Sequence, residues 1–230
     1  MNDSGKVVTK YVGDSFWAII FCGITAILAV TKSRGVFVGL TNTHPYLMGF
    51  CKFAVMASMG ELLAIRILEG KWRSSAGFTV KAVVWGFVGM AIVMMFALFS
   101  DGVKGLVQRK LLFVGTGLPA GVLTAFSVSA LMNLTFGVVF MGAHRVCDTY
   151  IDLRFQKKPV RLGDSLAEVD WPEFMRFVVG KTIPFFWIPA HTLTFMLPSE
   201  YRVISAAYLS IALGLALTYA RKRKVPTKFG

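Results

Sequence analysis

The longest charge-free stretch of the chain constrains its fold most. Residues 111–143 contain no charged side chain over 33 positions. A membrane-spanning helix needs about 20 apolar residues, so this stretch is too long for one straight span and too short for two spans with a turn. Helix-breaking residues gather near its start: Gly115, Gly117, Pro119 and Gly121. We therefore predict a helix over about 120–146, and leave open whether 105–119 spans the membrane, re-enters it or lies on its surface.

Further apolar runs lie between clusters of charge along the chain. They predict helices over about 16–31, 46–67, 79–100, 174–197 and 202–220. Pro184 and Pro189 lie inside the run 174–197, and proline removes a backbone donor and clashes with the preceding turn, so this helix is expected to be kinked. A polar segment over 155–173 must lie in water, with Asp164 and Ser165 as helix caps. The predicted fold is all-α: one integral membrane domain over 1–230, a polytopic transmembrane helical bundle with five or six spans and a proline-kinked helix near the C-terminus.

Composition and charge favour the same class of protein. Hydrophobic residues make up 55% of the chain and charged residues only 16%, whereas a soluble domain carries about a quarter charged residues. This deficit excludes disordered and nucleic-acid-binding classes, and we expect no nucleic-acid partner despite a net charge of +13. Helical membrane proteins collect cations in their cytoplasmic loops, where these also meet anionic lipid headgroups. The lipid bilayer and those headgroups are therefore the expected partners.

The distribution of Lys and Arg predicts the orientation. With six spans both termini share one side, and 14 of the 25 cations lie there against six on the other side. The 14 are Lys6, Lys10, Lys71, Arg73, Arg145, Arg154, Lys157, Lys158, Arg161, Arg221, Lys222, Arg223, Lys224 and Lys228. An excess of this size predicts that both termini lie in the cytoplasm.

The sequence shows no motif that indicates catalysis or a cofactor. The three cysteines are widely spaced and predict neither a disulfide framework nor a metal site. No phosphate-binding glycine loop, no Ser/His/Asp arrangement and no Cys/His zinc spacing is present. We therefore expect neither enzymatic activity nor a cofactor or metal.

Charged residues inside the predicted spans need a partner, because each costs about 2.5 to 3.5 kcal/mol at the centre of a bilayer. Glu61 lies on the second predicted helix, nine positions after Lys52, which places the two on opposite faces. Lys81 and Arg66 lie at about the same depth as Glu61 and could meet it across the bundle. Such a cluster either lines a path for a solute or forms a structural ion pair or interfacial anchor.

The helix predicted over 120–146 carries two polar features. Asn133 is isolated in an apolar setting and is expected to form a hydrogen bond to another helix. His144, Asp148 and Asp152 share one helix face at intervals of four, a spacing that suits either metal ligands or ion pairs. We favour solvated ion pairs, because the helix enters water there.

The segment 187–202 combines prolines with His191, Thr192 and Thr194 in an otherwise apolar run. Carbonyl groups opposite proline need another donor, which favours a hydrated site within the bundle. The alternative is a structural helix whose threonine hydroxyls bond to their own backbone.

Three segments resemble the family of peroxisomal membrane proteins and mitochondrial inner-membrane Mpv proteins, which also has bacterial members. Residues 44–67 are similar to its first conserved helix, where proline opens the span and a Gly-Asp-x-x-x-Gln motif closes it. Gly60 matches that motif, Glu61 replaces Asp, and Ile65 stands where Gln is expected. The stretch MNLTFGVVF resembles the family's Asp-Gln helix, with Asn133 near the acidic position.

The C-terminal part is similar to the family signature Trp-Pro-x-x-Gln-x-x-Asn-Phe followed by Val-Pro and Tyr-Arg. The matching residues are Trp187, Phe195, Pro198, Tyr201 and Arg202. Ile188, His191 and Thr194 replace the expected Pro, Gln and Asn, and the resemblance covers roughly residues 43–221.

The resemblance implies a channel-like membrane protein that lets small solutes cross the bilayer. Within this sequence we assign the polar lining to six residues: Glu61, Lys81, Asn133, His191, Thr194 and Arg202. The implied location is the bacterial inner (cytoplasmic) membrane, with a homo-oligomer or a larger membrane complex left open. The alternative is a non-transporting membrane scaffold or accessory subunit.

Overall fold

The computed structural model describes residues 3–156 and 159–224, and the predicted all-α class is confirmed there, since these residues form helices and no strand. Eight helices lie in these two ranges: α1 (Asp3–Ala29), α2 (Thr31–Thr43), α3 (Pro45–Glu69), α4 (Phe78–Gln108), α5 (Leu118–Phe155), α6 (Leu162–Glu168), α7 (171–196) and α8 (Ser199–Lys224). Lys157, Lys158, Lys228 and both chain ends, to which the predicted topology assigns a side, lie outside the described residues.

Among the described residues, four helices are long and apolar enough to cross a membrane. They are Tyr11–Ala29, Pro45–Glu69, Phe78–Gln108 and Leu118–Phe155. Helices also form over the last two predicted runs, as α7 and α8, but these two are not among the four.

The span predicted over about 120–146 is expected to continue as a helix toward Arg154, and α5 does stay helical to Phe155. Asp152 binds Lys81 of α4 there, and Asp148 lies 3.4 Å from His144 one turn earlier on α5 itself. The link before α5 is a short turn over 109–117, in which Gly115 and Gly117 have φ of 75° and 72°. Pro119 follows in the first turn of α5, where a missing N–H costs no hydrogen bond.

Helix α7 continues through both of its prolines. Over Phe174–Trp187 the helix is wound with wide π turns, in which the Ile188 N–H donates to the Ile183 carbonyl five positions earlier. A wide turn accommodates the ring of Pro184 without ending the helix. The break comes instead at Leu197, whose extended backbone (ψ 156°) is the conformation favoured before a proline.

Two short helices were not predicted from the apolar runs. Helix α2 follows a break at Val30 and contains weak helix formers, but its Phe37 is buried and stacks on Tyr201 at 6.4 Å. Helix α6 begins after Arg161, so Asp164 lies at its third position and not before it, where its carboxylate still caps the helix by accepting the Arg161 N–H at 2.7 Å; Ser165 is buried inside this helix and is not a cap. Tertiary packing therefore supports helices that local propensity alone does not specify.

Helix α3 lies at the centre of the bundle and packs against α4 and α8. Its closest approach is to α4, where a Cβ on Gly89 would overlap the carbonyl oxygen of Gly49. Helix α5 packs against the second half of α7. Consecutive helices are joined by short links, so α3, α4, α5, α7 and α8 alternate in direction around a common interior.

Candidate functional site

Helices α3, α4, α5, α7 and α8 enclose a cavity of about 430 Å³. Its wall includes Lys81 and Phe96 on α4 and, on α5, Asn133 and Asp148, each pair fifteen positions apart. At 1.5 Å per residue the cavity therefore extends roughly 20 Å along the bundle. Large apolar side chains are prominent in the wall, and eight of its residues are phenylalanine, tryptophan or methionine: Phe53, Trp85, Phe96, Met132, Phe136, Phe140, Met141 and Trp187.

Charged groups cluster at one end of the cavity, which we call the mouth. The mouth cluster comprises Glu61, Lys81, His144, Asp148 and Asp152. The Lys81 ammonium lies 2.8 Å from Asp152 and 3.8 Å from Glu61, and His144 Nε2 lies 3.4 Å from Asp148. The side chains of Asp148 and Asp152 are 32% and 50% exposed, so this end of the cavity reaches the outside of the bundle.

Neutral polar groups lie at the other end, which we call the floor. Asn133 and His191 are 4% and 8% exposed, and Asn133 Nδ2 lies 3.1 Å from His191 Nδ1. Asn133 Nδ2 also donates to the Ser129 carbonyl at 2.8 Å, and the Ser129 hydroxyl donates to the Ile188 carbonyl at 2.8 Å. The hydrogen bond to another helix predicted for Asn133 is thus confirmed, and it joins α5 to α7.

Both widened helix segments border the cavity. The π turn Asn133–Gly137 of α5 contributes Asn133, Phe136 and Gly137 to the wall, and the π-wound part of α7 contributes Ile183 and Trp187. Wide turns of this kind are uncommon and often occur at functional sites. Their position next to the same cavity singles it out as the candidate site.

Aromatic rings surround the floor histidine. The His191 ring stacks on Trp187 at 5.0 Å and meets Phe96 edge-on at 5.6 Å, and Phe96 lies 4.9 Å from Phe195. These rings close the cavity at the floor. At the mouth, Trp85 lies 4.2 Å from the His144 ring.

The structure brings four of the six assigned lining residues into this cavity, namely Glu61, Lys81, Asn133 and His191. Thr194 is instead buried, with its hydroxyl on the Ala190 carbonyl and near Ser205. Arg202 lies behind the floor, where it donates to the Leu197 carbonyl and Ser100 and stacks over Phe195. Thr192 also bonds to its own helix, at the Ile188 carbonyl. The threonines thus behave as the structural alternative predicted.

The predicted meeting of Lys81 and Glu61 is confirmed, but Arg66 does not join them. Arg66 makes two hydrogen bonds of 2.8 and 2.7 Å to Asp14 of α1, which also accepts the Trp72 indole N–H. Asp14 lies 52 positions before Arg66 in the sequence. The sequence hints at this pair only in that Asp14 is a charged residue directly before an apolar run, where it needs a partner.

His144 and Asp148 are wall residues that the assignment of the lining missed. Their spacing of four was the available signal, because it places them on one face with Asp152, the partner of Lys81. Within the described ranges, no group of three His, Cys, Asp or Glu side chains is placed to hold a metal ion.

The arrangement suits the binding of a ligand. It combines ionic groups at the mouth, an apolar wall, and neutral hydrogen-bonding groups at the floor.

Comparison of the chain with protein-family models, with curated proteins and with solved structures gives no match.

Proposed function

We propose that the protein is an integral membrane protein that lets small solutes cross the bilayer through the cavity between its helices. The observation that carries this proposal is a space of about 430 Å³, with polar groups at both ends, inside a bundle of apolar helices. Polar side chains among membrane helices are costly, and they commonly mark the path of a solute or an ion.

The proposed bundle has six spans, formed by α1, α3, α4, α5, α7 and α8. Helix α8 has 26 residues and is therefore about 39 Å long, and α7, over 171–196, has as many residues but is shortened by its wide turns; both are long enough to cross the hydrocarbon core. Because successive spans alternate in direction, the start of α1, the end of α8 and the mouth lie at one end of the proposed bundle. The excess of Lys and Arg on that side favours the cytoplasm, with anionic lipid headgroups as partners, and the resemblance adds the bacterial inner membrane to the proposal.

The resemblance to the peroxisomal and Mpv membrane proteins supports the same proposal. Three residues at or near its motif positions, Glu61, Asn133 and His191, come from three different helices and border one cavity. In this conformation the aromatic floor closes the cavity, so passage requires Phe96 and the rings around His191 to move. We therefore propose gated passage with access from the mouth.

A non-transporting scaffold is the second candidate function, and the pairing of the polar groups favours it. Lys81 already contacts two carboxylates, and Asn133 and His191 contact each other. Such pairs hold membrane helices together without any solute.

Flux into liposomes separates the two functions. Purified protein is reconstituted into phosphatidylcholine liposomes, and the entry of erythritol, tetramethylammonium and acetate is followed by light scattering. We expect entry of at least one solute above that of protein-free liposomes, with a changed rate in Glu61→Gln. Glu69→Gln is the matched control, because Glu69 lies on the same helix, pairs with Arg73 and is outside the cavity. If all three solutes enter these liposomes no faster than protein-free liposomes, solute passage is rejected and the scaffold function remains.

A further inference from the structure

We propose that the cavity selects an amphipathic organic cation: an ammonium group held at the mouth, and an elongated apolar body along the wall. The proposal rests on the proposed function, since it assigns a solute class to the same cavity. It follows from the charges at the mouth, the chemistry of the wall, and an unused hydrogen-bonding atom at the floor.

Carboxylates outnumber cations at the mouth. Glu61, Asp148 and Asp152 face a single ammonium, that of Lys81, which lies closest to Asp152. Asp148 lies 3.4 Å from the imidazole of His144, and the charge of Lys81 also acts on it. A positively charged group placed between Asp148 and Glu61 is therefore attracted, whereas a carboxylate or phosphate is repelled.

The neighbouring cations do not cancel this excess. Arg66 is occupied by two hydrogen bonds to Asp14, and Arg73 is paired with Glu69. Arg145 follows His144 on α5 and is close enough for its charge to act on the His144 ring, but its side chain is exposed, so solvent screens it, and it is a single charge beside three carboxylates. The negative potential at the mouth thus remains available to a ligand.

The wall fits the apolar part of such a ligand. Trp85 and Phe140 flank His144 with ring centroids 4.2 and 6.2 Å from its own, which places aromatic faces beside the carboxylates. Aromatic faces attract organic ammonium groups, and this attraction strengthens where water is excluded. Beyond them, methionine and phenylalanine side chains continue to the floor, so the whole cavity, roughly 20 Å long, suits an extended chain.

The floor offers a ring nitrogen, Nε2 of His191, that forms no hydrogen bond with a described residue. The other ring nitrogen, Nδ1, is occupied by Asn133, whose amide nitrogen and oxygen lie 3.1 and 3.3 Å from it. His191 is more than nine-tenths buried and borders the cavity. A hydroxyl at the far end of a ligand can donate or accept, so it can form a hydrogen bond with Nε2 whichever ring nitrogen carries the proton.

A matched set of probes tests the ligand class by isothermal titration calorimetry. The protein is placed in phosphatidylcholine nanodiscs and titrated with dodecylammonium, dodecanoate and dodecanol, which share one apolar chain; empty nanodiscs correct for partitioning. We expect one site per chain, with dodecylammonium bound about tenfold more tightly than dodecanoate and dodecanol between them. Raising the salt concentration should narrow this difference, because it screens the charges at the mouth.

Variants locate the site within the protein. Asp148→Asn should reduce the affinity for dodecylammonium to that for dodecanol and leave dodecanol binding unchanged, which also shows that the variant is folded. Asp101→Asn is the control, because Asp101 is an exposed residue of α4 that pairs with Lys104 outside the cavity. 12-Amino-1-dodecanol should bind more tightly than dodecylammonium to the wild type, and His191→Phe should abolish that advantage.

Three results would overturn the inference: equal affinity for the three probes, tighter binding of dodecanoate, or an Asp148→Asn variant that binds dodecylammonium like the wild type. If erythritol or acetate enters the liposomes but calorimetry shows no preference for dodecylammonium, the proposed ligand class is wrong and the proposed solute passage stands. Selective binding in a protein that makes no liposome permeable would instead reject solute passage and leave the ligand class standing.

Discussion

At the scale of single residues, the floor pair Asn133 and His191 is the best place to measure what a polar contact contributes inside this bundle. Each side chain is more than nine-tenths buried, and each is a hydrogen-bonding partner of the other across α5 and α7. Replacing one of them leaves a buried polar group without its partner, which costs about 1 to 3 kcal/mol.

A double-mutant cycle isolates the contact. We expect Asn133→Leu and His191→Phe each to lower the free energy of unfolding, and the double variant to lose less than the sum. The coupling energy should be about 0.6 to 1.7 kcal/mol, as found for hydrogen bonds between membrane helices. Unfolding is followed by circular dichroism in mixed micelles of rising dodecyl sulfate content. Ser127→Ala is the control on the same helix, because the Ser127 hydroxyl is exposed and bonds only to the Leu123 carbonyl. Strictly additive losses would show that the two side chains do not interact.

At the scale of helices, the crossing of α3 and α4 depends on the absence of a side chain at Gly89. A methyl group there would overlap the backbone oxygen of Gly49, and a carbonyl group cannot turn aside as a flexible side chain can. Gly89→Ala should therefore lower the free energy of unfolding by about 1 to 3 kcal/mol. Gly102→Ala on the same helix meets nothing within 4 Å and should raise it by up to about 1 kcal/mol, because alanine favours helix. The same unfolding assay checks both, and equal stability of the two variants would contradict the close crossing.

The sequence predicts helices well where charge clusters bound an apolar run, as at Pro45–Glu69. It does not predict α2, whose stability comes from contacts such as Phe37 on Tyr201, 164 positions apart. The depth of a residue in the membrane follows from its distance in sequence from the end of its helix. For this reason the contact between Lys81 and Glu61 is predicted correctly. Rotation about the helix axis cannot be read so directly in α7, because its wide turns shift the angular position of every later residue. His191 and Thr194 both follow the wide turns, on the regular helix Ile188–Met196, where three positions separate their side chains by about 300° around the axis; His191 borders the cavity, and Thr194 packs away from it.

At the scale of the whole molecule, the cavity is closed at one end, and Phe96 is the residue that most clearly closes it. This buried ring of α4 lies between His191 and Phe195, and Arg202 lies behind Phe195 at the far side of the floor. If solutes cross through the cavity, this is the barrier they meet after entering at the mouth. A smaller side chain at position 96 should therefore increase the rate of passage, whatever the solute.

We expect erythritol entry into proteoliposomes to rise from the wild type to Phe96→Leu and further to Phe96→Ala, in proportion to the volume removed. Phe96→Ala also removes a large buried ring, at a cost of about 3 to 5 kcal/mol, so the milder Phe96→Leu keeps the test valid if that variant does not fold. Phe87→Ala is the matched control, because Phe87 is an exposed phenylalanine on the same helix and lies outside the cavity wall. A graded rise at position 96 with no change at position 87 places the barrier at the floor, since a general loosening of the bundle would raise the flux in both. Unchanged flux in Phe96→Leu and in a folded Phe96→Ala would show that solutes do not pass this point, and the cavity would then serve binding from the mouth alone.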